Sequence, residues 1–204
     1  MGWLGLDDTD TLSEGCTTFS LHLLISKLPE HVDVGEVRLV RLWPFARQRT
    51  RGNAAVAVEL TTENEHDLLR FLESYWNNEL QALAGAVVLD EHNQREQSPA
   101  DPGMVWFSES PPPSNFYQKA VSSEVKMKDV PKADASWGGM GIIGATAAVL
   151  WPQNDVTWEA IGWREQHRWP SVERRVCESA LAEVASIDGT FLTRDPRTQR
   201  SLIS

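Results

Sequence analysis

Cysteine is nearly absent: Cys16 and Cys177 are the only two in 204 residues. That scarcity excludes a disulfide framework and any all-cysteine zinc site within the chain. The five histidines form no paired ligand motif. No run of about 18 apolar residues occurs, so no segment reads as a membrane-spanning helix and no membrane partner is expected. Met1 leads directly into an apolar stretch without a basic region or a cleavage site, which points to a cytoplasmic location. Positive charge is also in deficit, with 19 Lys and Arg against 29 Asp and Glu, giving a net charge of -10. Neutralising phosphates needs clustered Lys and Arg, so nucleic-acid binding spread over the whole surface is disfavoured and any such contact must be local.

What is present is ordinary for a folded enzyme. Hydrophobic residues make up 41% and charged residues 24% of the chain, within the globular range. The length allows one large domain or two small ones, each with a core of its own. Nine tryptophans are scattered without a repeat period and are assigned mainly to core and interface anchoring.

Along the chain, Trp3-Leu4-Gly5-Leu6 is an apolar run ending abruptly at Asp7, as for a buried strand that delivers a loop to its C-terminal edge, where ligands commonly bind. Phe19, Leu21, Leu23, Leu24 and Leu28 fit a helix stopped by Pro29, with Thr17 or Thr18 as its cap. Alternation predicts strands over 34–42, with Val37 and Leu39 on one face, and over 54–60. A helical spacing of Leu68, Leu69, Leu72, Trp76 and Leu80 spans 62–83, and a strand is expected over 86–89. Residues 90–102 are polar, and 108–115 contain three consecutive prolines, the best linker candidate. This divides the chain into 1–108 and 109–204. Beyond it a helix is expected over 116–130, a small apolar segment over 142–150, a strand over 156–163, a helix over 172–184 and an extended piece from 189. The mixture is α/β in order, with an α+β sandwich in the second half.

Three aspartates in four positions, Asp7, Asp8 and Asp10, cannot all be buried unpaired, because each would cost several kcal/mol. The loop is a capped surface turn or a cation site. Magnesium is the natural cation, since it takes one or two carboxylates with phosphate oxygens and waters. Arg38, Arg41, Arg47, Arg49 and Arg51 follow within 14 residues, ending in Gly52-Asn53. Such a run is a solvated face or a polyphosphate contact; the planar guanidinium fork matches phosphate oxygens. Thr17 and Thr18 could cap the helix, offer N–H groups to an anion, or present a hydroxyl to a phosphoryl group. The segment Gly138-Gly139-Met140-Gly141 through Gly144 lacks the Walker lysine and the dinucleotide fingerprint, so close backbone packing competes with approach to a small ligand. Cys16 has no evident histidine partner and reads as a small buried thiol.

In order and spacing, Gly5-Leu6-Asp7-Asp8-Thr9-Asp10, Gly15-Cys16-Thr17-Thr18, Arg38-Leu39-Val40-Arg41-Leu42 and Thr50-Arg51-Gly52-Asn53-Ala54-Ala55-Val56 resemble the archaeal isoleucine-tRNA 2-agmatinylcytidine synthetase (TiaS) family. The likeness continues through Asp101-Pro102-Gly103, Gly141-Ile142-Ile143-Gly144-Ala145 and Trp158 to Arg164, nearly the whole chain. It implies a kinase-like α/β domain followed by a ferredoxin-like α+β domain associated with agmatine. It also implies a ligase reaction that cleaves ATP to AMP and pyrophosphate, activates carbon two of the wobble cytosine and joins it to an amine. By the same resemblance, Asp7, Asp8 and Asp10 hold magnesium and the triphosphate, and Thr17 becomes phosphorylated. Thr18, Arg41, Arg49, Arg51 and Asn53 line the ATP site, while Gly141, Gly144, Glu159 and Trp163 are the candidates for the amine.

Trp43 stands where the family has asparagine, and Gly138 and Met140 stand where basic residues are expected. The family continues into an OB-fold and a zinc ribbon that grip tRNA, and neither lies in these 204 residues. The sequence is therefore a fragment or a stand-alone relative; for a complete chain, the acidic balance and the missing modules favour a smaller acceptor or a separate tRNA-binding subunit over tRNA itself. A regulatory module that binds ATP without turning it over is the rival expectation.

Overall fold

The computed structural model describes residues 1–10, 15–47, 53–86, 88–89, 96–97, 99–111, 114–152, 192–194 and 201–203. Residues Met1–Asn154 form one compact unit and Asp155–Ser204 a second.

The first unit is built on β1 (Gly2–Asp7), α1 (Thr17–Ser26), β2 (Asp33–Arg41), β3 (Ala54–Thr61) and α2 (Glu65–Tyr75). Its later elements are the short hairpin β4 (Val88–Leu89) and β5 (Glu96–Gln97), then β6 (Gly103–Phe107), α3 (Phe116–Ser122), β7 (Ala135–Gly138) and α4 (Gly141–Val149). Five strands form one sheet in the order β2-β3-β1-β6-β7, with every pairing antiparallel. β1 is therefore the central strand, and all six of its residues are buried.

Strand alternation sorts the two faces. Leu4 and Leu6 of β1 join Val56, Val58, Leu60, Met104 and Trp106 in a core that also takes Leu21, Leu24, Leu68 and Leu72 from α1 and α2. Trp3 faces the other way, with Ala55, Ala57, Val105 and Phe107, and there α4 contributes Ala145, Ala148 and Val149. Each fully buried leucine contributes about 1.5–3 kcal/mol relative to exposure, so these faces fix which way Asp7 points. It follows Trp3 and Gly5 by the period of two, and its carboxylate lies against α4.

β2 keeps Val37 and Leu39 on one face, opposite Val58 and Val56, with Arg38 and Val40 turned to the α4 side; Val37 is 55% exposed, beside a register shift between Val34 and Val37. Two helices differ from expectation. The helical run over 62–83 is α2 followed by a π-helical turn at Trp76–Leu80 and a 3₁₀ turn at Gln81–Leu83. The helix expected to reach residue 130 stops at Ser122, with a short 3₁₀ turn at Met127–Asp129. The small apolar segment after the glycines is helix α4, and β6 and β7 enter the sheet beside β1.

Within the second unit, β8 (Leu192–Arg194) pairs antiparallel with β9 (Ser201–Ile203). The strand expected over 156–163 and the helix over 172–184 lie outside the described residues. No described helix is long and apolar enough to cross a membrane.

Candidate functional site

The C-terminal end of β1 opens into a small cleft of about 80 Å³, whose walls include Asp7, Asp8, Trp43, Asn53, Gly141 and Gly144. Asp7 is 8% exposed. Burial pushes its carboxyl well above the usual carboxylate range, and the charge of Asp8 pushes the same way. A hydrogen bond from the Asp8 backbone opposes the rise, and Asp10 adds a smaller push upward. Gly144 is required by this placement: a Cβ there would collide with Asp7 Oδ2. The bare Cα of α4 thus makes the room that the carboxylate occupies.

Asp8 has φ 58 and Asn53 φ 42, the two described non-glycine residues in the left-handed region. Such conformations cost of order 1–3 kcal/mol and persist where surrounding contacts impose them. Asp8 Oδ2 accepts from the Asp101 N–H at 2.8 Å. Asn53 donates from Nδ2 to the Trp43 carbonyl, and its own carbonyl accepts from the Leu42 N–H. Both strained residues lie on the cleft wall.

The rest of the acidic loop is tethered from behind. Thr9 is buried and donates to Ser20 Oγ of α1 at 3.0 Å. Asp10, half-buried, forms an isolated bridge with Gly15. Among the described residues no group of three or more His, Cys, Asp and Glu converges as a metal site. The aspartates brought together at the cleft are Asp7 and Asp8.

Cys16, in extended conformation, precedes α1 and makes no side-chain cap. Thr17 and Thr18 are therefore first-turn residues, Thr17 buried and Thr18 within 2.9 Å of Cys16 Sγ. Neither lines the cleft. Arg41 ends β2 and is exposed, as is Arg47, and neither is among the residues that line the cleft. Arg38 is displaced further. Its guanidinium stacks on Trp3 with 3.4 Å to the ring centroid, pairs with Glu36 at 2.8 Å, and donates to the Val149 carbonyl at the C-terminus of α4. A cation at a helix C-terminus meets the negative end of its dipole, so this arginine anchors α4 at the end opposite the cleft. Arg49, Arg51, Glu159 and Trp163 lie outside the described residues.

The glycine segment is a clasp. The N–H of Gly139 goes to the Pro102 carbonyl, that of Met140 to Asp101 Oδ2, and that of Gly141 to the Asp101 carbonyl. Gly138, at φ 98, makes the turn that allows it. The N–H groups of Ile142 and Ile143 bond back to Gly139 and Met140, so five successive amides are satisfied within the protein. Glu124, a cleft residue at the end of the α3 region, escaped sequence reading because one Glu in a polar stretch carries no pattern. Trp43 had its departure from the family pattern as a signal.

The first unit is thus a mixed α+β fold that places two adjacent carboxylates, at the end of its central strand, on the wall of a cleft that also carries strained backbone. Residues 3–138 match the family model of the TiaS TCKD domain and residues 139–204 that of the TiaS FLD domain, and the chain belongs to the TiaS family. It is 33% identical over 196 residues to the isoleucine-tRNA 2-agmatinylcytidine synthetase TiaS of Methanopyrus kandleri, covering 90% of this chain and 42% of that protein. The corresponding protein of Thermoplasma volcanium is 29% identical, with 93% and 47% covered. A crystal structure of apo TiaS, a tRNA agmatidine synthetase, superposes with a TM-score of 0.69 at 24% identity over 98% of this chain and 47% of the other. Its likeness supports the fold. The chain spans about half the length of the relatives it matches or less.

Proposed function

We propose that the chain carries the ATP-consuming step of a TiaS-type ligase: ATP activates a carbonyl, in the family that of a tRNA cytidine, and agmatine or a similar small amine is joined to it. Family membership over residues 3–138 carries this reading, and the paired carboxylates on the cleft wall at the end of β1 support it. Relatives of this chain are named tRNA 2-agmatinylcytidine synthetases, and one neighbouring structure is of TiaS with tRNA, AMPCPP and agmatine.

In this reading Asp7 and Asp8, with Asp10 behind them, hold magnesium. Two carboxylates facing one cleft suit that ion, which takes its remaining ligands from phosphate and water. When bound, magnesium neutralises charge on the phosphates. The guanidinium groups of Arg41, Arg49 and Arg51 take phosphate oxygens, with Thr18 and Asn53 completing the nucleotide contacts, and Thr17 is the phosphoryl acceptor. For the amine, whose cation suits a carboxylate and an aromatic face, Glu159 and Trp163 are the candidates in the second unit, and Gly141 and Gly144 are separate candidates in the first. The N-terminal module handles nucleotide and the C-terminal one the amine, in the cytoplasm, with tRNA as acceptor.

The test is incubation of the purified chain with labelled ATP, magnesium, agmatine and isoleucine tRNA, comparing wild type with Asp8→Ala and Thr17→Ala. We expect AMP and pyrophosphate from wild type and a loss of about 100-fold or more in each variant, the scale of removing a charge-stabilising group. Binding without nucleotide consumption would replace the ligase by a sensor.

A further inference from the structure

Asp101 is not among the residues that line the cleft, yet it joins two segments that are. Its N–H donates to Asp8 Oδ2 at 2.8 Å, across 93 residues of sequence. Its own Oδ2 accepts from the Met140 N–H at 2.7 Å, and its carbonyl accepts from Gly141 at 2.9 Å. Asp8 is held at φ 58, a backbone conformation that relaxes unless something fixes it. The bond from Asp101 reaches the side chain of that strained residue directly. Asp101 in turn is fixed by the glycine clasp, where its carboxylate lies in the space a Cβ of Gly139 would need.

From this geometry we infer that Asp101 is a positioning residue for the reaction: through its carboxylate's bond to Met140 it sets the backbone donor that aims Asp8 into the cleft. This rests on the ATP-consuming role proposed above. The requirement is geometric. An acceptor oxygen is needed at the Oδ position, and a negative charge is not, since a neutral amide oxygen also accepts from a backbone N–H. The same reach with the charge kept but the oxygen moved by one methylene fails.

Three variants of the full chain separate these demands: Asp101→Asn keeps the shape, Asp101→Glu keeps the charge, and Asp101→Ala keeps neither. Each is assayed for ATP consumption, with thermal melting alongside. Asp101→Ala and Asp101→Glu are expected to lower kcat by about tenfold or more, as misplacement by a fraction of an ångström to an ångström does, with KM for ATP changed less than about threefold. Asp101→Asn is expected to stay within about threefold of wild type in both constants. If Asp101→Ala fails to fold, Asp101→Glu against Asp101→Asn carries the comparison. Wild-type kcat in Asp101→Glu, or Asp101→Asn as slow as Asp101→Glu, overturns the positioning role while the ATP-consuming reading stands. A wild-type chain that consumes no ATP removes both.

Discussion

Asp7 shows how one buried residue sets a pH dependence. Its folded-state pKa is raised above the ordinary 3.8, chiefly by burial. The folded state therefore holds the proton more tightly than the unfolded state, and stability falls as pH rises from the ordinary carboxylate value towards the folded one. In metal-free buffer, Asp7→Asn should melt higher than wild type at pH 8, and the gap should close as pH is lowered towards 4. Parallel melting curves at all pH values would contradict this. Asn53 makes a second residue-scale case. With φ 42 and an amide bonded to the Trp43 carbonyl, Asn53→Ala should lose about 1–2 kcal/mol, combining strain with a missing hydrogen bond. Asn53→Gly should lose less, because glycine accepts the conformation; chemical denaturation of the two variants compares them. The acidic triplet, the Thr17-Thr18 pair and the arginine run were all visible in the sequence. That Arg38 leaves the run to stack on Trp3 and tie down α4 was not, because neither partner is near it in sequence.

At the scale of elements, the connection from β6 to β7 is closed by Asp134. Its Oδ2 accepts from both the N–H and the hydroxyl of Ser108 at 2.8 Å, while its own N–H donates to the Trp106 carbonyl. Those two bonds to Ser108 hold its carboxyl below the usual range. The stabilisation is therefore present above the unfolded-state pKa and disappears as pH falls through the lower, folded-state value. Asp134→Ala should be less stable than wild type by about 0.5–1 kcal/mol at pH 7, an exposed group's share of a hydrogen-bond contribution. The two should melt alike in strong acid, as scanning calorimetry would read. Most elements of the first unit were legible from alternation and helical spacing. β6 was not assigned, although Met104-Val105-Trp106-Phe107 is an apolar run, because a fully buried strand shows no alternation and its neighbours are loops. α4 was left as a small apolar segment for the parallel reason: a helix packed between a sheet and α3 has no polar stripe to betray it.

Over the whole molecule, the net charge of -10 makes electrostatic attraction to polyanions weak. The chain is expected to pass through a heparin column at about 0.15 M salt, the ionic strength at which surface fields are already screened beyond about 8 Å. Retention at that salt would reveal a basic face that the charge balance conceals. The sequence by itself determined the chemistry on offer and its order: an apolar strand, then carboxylates, then a helix start, then arginines, in a spacing close enough to the TiaS pattern to name the family. These are local properties, carried by composition and by separations of a few residues. Only the tertiary structure decided which of those groups meet. It set Asp7 against Gly144, bonded Asp8 to Asp101, and spent the glycine-segment amides on Pro102 and Asp101. Contacts across 37 to 137 residues follow from how the sheet orders its strands and where α4 settles on it, and no short-range pattern encodes that ordering.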